Sequence, residues 1–376
     1  MRKISLLLLF TVLLISLIGA CQSNPPPQPL PASVIIPNLL VAFDGQVLLQ
    51  RDGQTAYSNI GFGTQLNQGD SLKIDTSAIV LCGDDLKPVF LDDSDNILSI
   101  PCTLKSGNLG DNYAEGEDGY DYQIPRAQIN SDIPYIQQPR GSFLLNPRPV
   151  IRWHDTGAGP YRLRLADIDE TIWESDQPIM GTEFQYPIDA PALISERSYR
   201  FVVTDDNDRH SDEEDLSNIG FKLISPVEQN KIKVYQTRLA KLNGLDDPAR
   251  DFALATYYAQ WQLPPNPEWG LLSDAILLLE KVASTKPAPA VYLQQGDVYL
   301  QMKLYHEAEL AYNTALKQAE ANTDLDAQTT IYGKLWRLTQ DAAHCQAVIE
   351  RYTDLGDQPK RQAWCDRCGV KLTACP

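Results

Sequence analysis

The sequence is poor in the residues and motifs that carry enzymatic chemistry. It has only four histidines, which lie in separate segments and never show the His-Glu-x-x-His spacing of a metalloprotease. It has no Gly-x-Ser-x-Gly nucleophile motif, no phosphate-binding glycine loop and no dinucleotide-binding fingerprint. The sequence therefore predicts a protein that is not an enzyme, with no catalytic residue, no cofactor and no metal site.

Positive charge is scarce as well. The chain has 32 lysines and arginines against 49 aspartates and glutamates, so its net charge is −17 at pH 7. Such an acidic surface disfavours nucleic acid and anionic lipid as partners, and it suits a basic partner. Acidic clusters at 92–95, 111–121 and 205–215 predict solvated loops. The alternative is that they bind calcium, but none shows the ligand pattern of a calcium-binding loop.

The N-terminus has the pattern of an export signal over residues 1–20. Arg2 and Lys3 precede an apolar run, Leu6 to Ile18, which is too short to span a bilayer, and small residues precede Cys21. This junction resembles the lipobox of bacterial lipoproteins. The resemblance implies a lipid on Cys21, cleavage before it, and an extracytoplasmic protein anchored to the cell membrane, or to an outer membrane where one exists. The alternative is an ordinary signal peptide with a chance cysteine.

A proline-rich tether is predicted for residues 21–33, and an antiparallel β domain for residues 34–130. Apolar runs flank Asp44-Gly45 and Asp52-Gly53, which predicts hairpins at both dipeptides. The stretches Gly45 to Gly53, Thr64 to Leu72 and Ser77 to Asp84 resemble the FecR-type domain of bacterial envelope proteins. That resemblance implies a non-enzymatic extracytoplasmic module used in signal relay or envelope interaction.

Residues 131–225 show a second set of short strands, which predicts a β-sandwich. A strand ending at Trp153 is followed by Tyr161-Arg-Leu-Arg-Leu165 and by Tyr199-Arg-Phe-Val-Val203. This order resembles fibronectin type III and immunoglobulin-like modules. Modules of this kind serve as spacers or binding platforms, and the fold alone does not choose between these roles.

From residue 226 to 376 the apolar residues recur at helical spacing, which predicts an α-helical repeat domain. The predicted helices are Val227–Leu242, Pro248–Gln262, Leu271–Ser284, Pro289–Met302, Tyr305–Asn322, Leu325–Gln340 and Ala342–Leu355. The pair from Pro289 to Asn322 resembles a tetratricopeptide repeat of 34 residues. In that resemblance Gly296 and Ala308 are the small residues at which the two helices cross.

The same resemblance implies that the first helix of each pair lines a concave partner-binding face. Gln294, Asp297 and Gln301 project from one face of that helix, and they are the predicted partner-binding residues. The alternative is that these polar residues only form a solvated surface of the helix.

The remaining six cysteines are an even number in a chain predicted to be exported, which favours disulfides. Cys82 and Cys102 lie in the first β region. Cys345, Cys365, Cys368 and Cys375 lie near the C-terminus, and the sequence does not choose among their three pairings. Cys365-x-x-Cys368 leaves two alternatives open, a redox dithiol and a structural zinc site.

Together these patterns predict a multidomain β + α protein that acts as a lipid-anchored, non-enzymatic adaptor of the cell envelope. Its expected partners are envelope proteins, with cell-wall polymer as a further possibility, the membrane through its lipid, and no nucleic acid. The first alternative is a FecR-like envelope sensor. The second is an extracytoplasmic thiol–disulfide protein that uses Cys365 and Cys368.

Overall fold

The computed structural model describes residues 36–83, 85–92, 98–99, 102, 131–167, 170–195, 197–214, 219–263 and 269–369. Within these residues, mainly antiparallel β-sheets occupy the N-terminal part of the chain and eight α-helices the C-terminal part. The predicted order of β structure followed by α structure is therefore confirmed. The described residues belong to one compact unit.

The first β region contains two four-stranded antiparallel sheets. Its strands are β1 (Asn38–Asp44), β2 (Val47–Gln50), β3 (Ser58–Ile60), β4 (Gln65–Leu66), β5 (Ser71–Ile74), β6 (Ser77–Cys82), β7 (Lys87–Asp92) and β8 (Leu98–Ser99). One sheet has the order β4-β1-β6-β7 and the other β3-β2-β5-β8. Leu40 and Val80 from the first sheet pack in one core with Val47 and Leu72 from the second, as expected where strands alternate between buried and exposed side chains.

The turn at Asp44-Gly45 carries the chain from one sheet to the other. β1 pairs with β4 and β6, whereas β2 pairs with β3 and β5, so the hairpin predicted between β1 and β2 is wrong. Gly45 has a φ of 77°, and a Cβ atom at this position would lie 2.8 Å from the Asp75 carboxylate. A glycine is required here, but it serves a crossover between sheets and not a hairpin. The Asp52-Gly53 turn lies between β2 and β3, which do pair.

The second β region also contains two sheets around one core. Its strands are β9 (Ile136–Gln138), β10 (Ser142–Leu144), β11 (Val150–Trp153), β12 (Arg162–Asp167), β13 (Glu170–Glu174), β14 (Glu183–Gln185), β15 (Ser198–Thr204) and β16 (Phe221–Leu223). The sheet orders are β10-β16-β15-β12-β13 and β14-β11-β9. Trp153 from the smaller sheet is buried in the same cluster as Leu165 and Phe201 from the larger one.

Two acidic residues of the 205–215 cluster depart from the predicted solvated loop, namely Asp205 and Glu214, whose 4%-exposed side chain pairs with the buried Arg140 at 2.6 Å. Asp205 is only 4% exposed. Its carboxylate accepts hydrogen bonds from the side chains of Thr156 and Arg209 and from the backbone N–H of Asn207. This carboxylate therefore has a structural role, because it organises the turn after β15 through charge-assisted hydrogen bonds.

The eight helices follow one another with short connections. They are α1 (Pro226–Ala240), α2 (Asp247–Gln260), α3 (Leu272–Thr285), α4 (Pro289–Gln301), α5 (Tyr305–Ala321), α6 (Leu325–Thr339), α7 (Ala342–Leu355) and α8 (Gln358–Arg367). The seven predicted helices are confirmed to within two residues at each end, and α8 was not predicted. Each of these helices packs against the next one in the chain.

Aspartate side chains begin four of the helices. Asp246, Asp324, Asp341 and Asp357 each accept a hydrogen bond from a backbone N–H in the first turn of α2, α6, α7 and α8, respectively. An acidic N-cap of this kind satisfies an otherwise unpaired donor and interacts favourably with the helix dipole. The predicted start of α2 at Pro248 would make Asp247 the cap, whereas the observed cap is Asp246.

Gly296 lies where α4 crosses α5. A Cβ atom there would overlap the ring of Tyr312, reaching its Cζ atom at 2.9 Å. The ring is fully buried, and its hydroxyl donates a hydrogen bond to Asp297 at 2.7 Å, so the ring has little room to retreat. The close approach of α4 to α5 therefore depends on the absence of a side chain at this position.

We expect Gly296→Ala to lower the free energy of unfolding by about 1–3 kcal/mol through overpacking, although alanine favours helix formation. Urea denaturation monitored by circular dichroism measures this change. Gly333→Ala is the matched control, because a Cβ atom there would lie 3.2 Å from Trp364, a tight contact but not an overlap. Equal stability changes in the two variants would contradict the steric explanation.

The helices pack against both β regions. The ring of Phe143, on β10, meets the rings of Trp261 and Trp269 edge-on, with centroid distances of 5.8 and 5.6 Å. At the other end of the helical part, the backbone N–H groups of Thr55 and Ala56 both donate to the Leu355 carbonyl at 3.2 Å. The two β regions are thus held by the helices at several separate points.

Candidate functional site

A cleft of about 160 Å³ lies between the first β region and the helices. One wall is the chain segment 61–67, which follows β3 and includes β4. The opposite wall consists of side chains from α2, α4 and α6, together with Arg51. We call this space the helix–strand cleft.

All three residues predicted to bind a partner line the helix–strand cleft. Gln294, Asp297 and Gln301 lie three and four positions apart on α4, so they share one helical face. The structure places two of them in internal contacts. The Gln294 side chain is 8% exposed and is hydrogen-bonded to Thr256 at 3.0 Å. Asp297 accepts a hydrogen bond from Tyr312.

The close approach of the two walls depends on a glycine and two aromatic rings. The ring of Phe62 is buried against Phe252 of α2, with a centroid distance of 5.4 Å. Gly63 has a φ of 82°, and a Cβ atom there would lie 2.9 Å from Phe252 and 3.0 Å from Ala290. Only glycine lets this loop lie so close to α2 and α4. The apolar part of the cleft lining also includes Leu293.

An ion-pair network joins the first β region to α6 at the edge of the cleft. Arg51 makes two hydrogen bonds to Asp326, at 3.0 and 2.6 Å, and a third to Asp70 at 2.6 Å. The three side chains are 15%, 14% and 2% exposed, respectively. Burial alone would lower the pKa of Arg51 and raise that of Asp326. Their mutual charge and hydrogen bonds outweigh burial, so the pKa of Arg51 is raised and that of Asp326 is lowered.

A second ion pair crosses the cleft lining between α4 and α6. The Lys334 ammonium lies 2.7 Å from the Asp297 carboxylate. Both side chains are mostly buried, with 13% and 19% exposure. The two cations that line the cleft are therefore both held by carboxylates of the chain itself.

The Asp324 carboxyl also lines the cleft, but no lysine or arginine of the described residues forms an ion pair with it. It is 3% exposed and caps α6 by accepting the N–H of Ala327 at 2.9 Å. Within the part of the chain that the structure describes, no lysine, arginine or histidine lies at ion-pair distance from it. Burial, and next the negative charge of Asp326, raise the pKa of Asp324 to about 7.

Gln260, at the end of α2, adds a polar group to the same lining. Its side-chain oxygen is buried and accepts no hydrogen bond from the described residues. Buried polar atoms are usually paired, so an acceptor of this kind is satisfied when a donor enters the cleft. The cleft thus combines an apolar wall, two neutralised cations and two acceptor groups, at Asp324 and Gln260.

The sequence did not single out Arg51, Asp324 or Asp326 as site residues. The N-cap role of Asp324 was readable from its position before an apolar-periodic segment. No local pattern indicates that Arg51 meets Asp326, because 275 positions separate them in the chain.

The cysteines of the described residues are paired. Cys82 is bonded to Cys102, with Cα atoms 5.4 Å apart, and Cys345 to Cys368, with Cα atoms 6.1 Å apart. Cys365 is also disulfide-bonded. Cys368 thus bonds to Cys345 and not to Cys365, so the two cysteines of the Cys-x-x-Cys segment do not form a disulfide with each other.

The lipidation candidate Cys21 and Cys375 lie outside the described residues, as do the predicted export signal (1–20), the predicted tether (21–33) and the acidic cluster 111–121. Among the residues that the structure describes, no helix combines the length and the apolar character needed to cross a membrane.

Comparison with known proteins identifies no family for the chain. No protein-family model matches it, and no curated protein matches it.

Proposed function

We propose that the protein is a lipid-anchored, non-enzymatic adaptor of the cell envelope. It is held at a membrane by the lipid on Cys21 and binds a segment of a partner protein in the helix–strand cleft. The observation that carries this proposal is the convergence on one cleft of Gln294, Asp297 and Gln301 with the loop 61–67. Gln294 and Asp297 also make internal contacts, so this polar face of α4 both packs against its neighbours and lines the cleft.

We also propose a fold type for each of the three parts of the chain, the two β regions and the helices. The first β region is FecR-like, the second is an immunoglobulin- or fibronectin type III-like sandwich, and the helices are tetratricopeptide-like repeats. Two sheets that share a core in each β region support the first two assignments. Consecutive helices of 13 to 17 residues from α1 to α7, each packed on the next, support the third.

The packing of both β regions on the helices defines the role of these regions in such an adaptor. Hydrogen bonds and aromatic contacts tie both β regions to the helices, so the β regions act as walls and supports of the binding face. The cleft itself needs the first β region, because loop 61–67 forms one of its walls. The binding unit is therefore the first β region together with the helices.

A photoreactive amino acid at Gln301, in the cells that make the protein, tests the proposal. We expect one covalent adduct after irradiation, identified by mass spectrometry as a protein with its own export signal. The matched control is the same amino acid at Lys317, an exposed position on α5 outside the cleft lining. Equal adducts at both positions, or none at Gln301, would show that the cleft is not the binding site.

The anchor is tested separately with an alkyne fatty acid. We expect the label on the wild-type chain and not on Cys21→Ser. Label and membrane association that persist in the substituted chain would contradict lipid anchoring through Cys21.

A further inference from the structure

We propose that the helix–strand cleft accepts a basic side chain, lysine or arginine, from an extended segment of the partner. This inference rests on the proposed adaptor function and specifies its ligand. It commits to one chemistry at one position, whereas the adaptor proposal alone does not.

The size of the cleft favours a side chain as its occupant. Pockets that enclose a whole small-molecule ligand typically measure about 300–1,000 Å³. The helix–strand cleft measures about 160 Å³. One side chain of a peptide that lies across the opening therefore fits this space better than a complete metabolite or cofactor.

The charges that line the cleft favour a cation over an anion. Its carboxyl groups are Asp297, Asp324 and Asp326, and its cations are Arg51 and Lys334. Arg51 is shared between Asp326 and Asp70, and Lys334 is held by Asp297. An anionic ligand would have to break one of these pairs to find a positive charge.

A cation can reach the Asp324 carboxyl without breaking an ion pair, because no cation lies at ion-pair distance from it among the described residues. That carboxyl is already hydrogen-bonded to the N–H of Ala327 and to the Ser58 side chain, and an ionised carboxylate can accept further donors. The Gln260 oxygen accepts no hydrogen bond from the described residues. An ammonium or guanidinium group brings three or five N–H donors and no acceptor, which suits either of these acceptors. The bound cation pairs with the deprotonated carboxyl of Asp324. A positive charge at this distance favours the ionised form of that carboxyl.

The apolar wall suits the stem of a long basic side chain. Phe62, Phe252 and Leu293 line the cleft beside the polar groups. Lysine and arginine place their methylene groups along such surfaces while the charged end reaches polar partners. Lys286, which lies over the Phe62 ring at 4.3 Å, is held by Asp246 at 3.1 Å and is not among the residues that line the cleft. The net charge of −17 attracts a basic segment over a longer range.

Three blocked peptides test the proposal with the full chain in detergent. They are acetyl-Ala-Lys-Ala-amide and its norleucine and glutamate counterparts, with binding measured by NMR titration. We expect the lysine peptide to bind at least tenfold more tightly than the other two. Equal affinity for the norleucine peptide, or preference for the glutamate peptide, would overturn the inference.

Two variants test whether the peptide binds in the cleft. Asp324→Asn keeps the helix cap and removes the carboxylate, and we expect at least a tenfold loss of lysine-peptide affinity. Thr330→Lys puts a lysine of the chain itself on the cleft lining, and we expect it to block the lysine peptide. Thr314→Lys is its matched control, since both threonine hydroxyls donate to the carbonyl four residues earlier and Thr314 lies outside the cleft. Binding unaffected by both test variants would overturn the inference.

The two proposals fail in different ways. An adduct at Gln301 to a partner segment without lysine or arginine would overturn the basic-side-chain inference and leave the adaptor function standing. An adduct to a segment of this chain would show that the cleft is occupied internally, and it would overturn both.

Discussion

Replacing Arg51 by methionine is expected to lower the free energy of unfolding by about 3–5 kcal/mol. The substitution keeps the apolar stem and removes the guanidinium that holds Asp326 and Asp70 together. Both carboxylates then remain in a largely buried position without their cation, and the penalty for such a charge is large. Chemical denaturation at neutral pH measures the change.

Arg152 provides a matched control for this prediction. It also bridges two carboxylates, Glu183 on β14 and Glu280 on α3, both at 2.7 Å. These partners are 59% and 37% exposed, so water solvates them when the arginine is removed. We expect Arg152→Met to change the free energy of unfolding by no more than about 1 kcal/mol. Similar losses in both variants would show that burial of the Arg51 network is not what makes it important.

The helical part could be predicted from local sequence because its signals are local. Apolar spacing, acidic N-caps and prolines in the first turn lie within the segments that they define. The exception is α8, in which only Trp364 and Cys365 are buried. A helix that buries so little of its surface has no apolar stripe, and its contacts with α7 position it instead.

The β part was harder because strand partners are distant in the chain. Asp44-Gly45 between two apolar runs carries the local signal of a hairpin, but β1 pairs with β6 and β4. The choice between a hairpin and a crossover depends on which strands bury their apolar faces together. No dipeptide contains that information.

The candidate site was likewise predictable only where its signals are local. The helical spacing of Gln294, Asp297 and Gln301 was sufficient to place them on one face. The opposite wall was not predictable, because loop 61–67 lies more than 180 residues earlier in the chain and meets α2 and α4 only after folding. Gln294 and Asp297 also make internal hydrogen bonds, a role that neither the partner-binding prediction nor its alternative of a solvated surface included.

Asp324→Asn is expected to change how stability depends on pH. The pKa of Asp324 is raised from 3.8 to about 7 in the folded protein, first by burial and then by the charge of Asp326. Between these two values the folded chain keeps a proton that the unfolded chain has released. The free energy of unfolding therefore falls as the pH rises through this window. The contribution of Asp324 is at most about 4 kcal/mol, since each pKa unit corresponds to about 1.4 kcal/mol.

Asparagine caps a helix as well as aspartate does and has no proton to lose. Relative to the wild type, Asp324→Asn should gain about 2–4 kcal/mol between about pH 4 and about pH 8. Urea denaturation at a series of pH values measures this difference. Titration of the other carboxyl groups contributes to both proteins and largely cancels in the comparison.

Asp341→Asn separates the effect of burial from the effect of the substitution itself. Asp341 caps α7 through the same kind of bond, accepting the N–H of Ala343 at 2.9 Å, but its side chain is exposed. We expect this variant to have nearly the stability of the wild type at neutral pH, because its side chain lies in water. If both variants gained the same stability at high pH, the effect would belong to the amide cap. A gain confined to Asp324→Asn would mean that burial of the Asp324 carboxyl, and not the amide cap, causes the loss of stability as the pH rises.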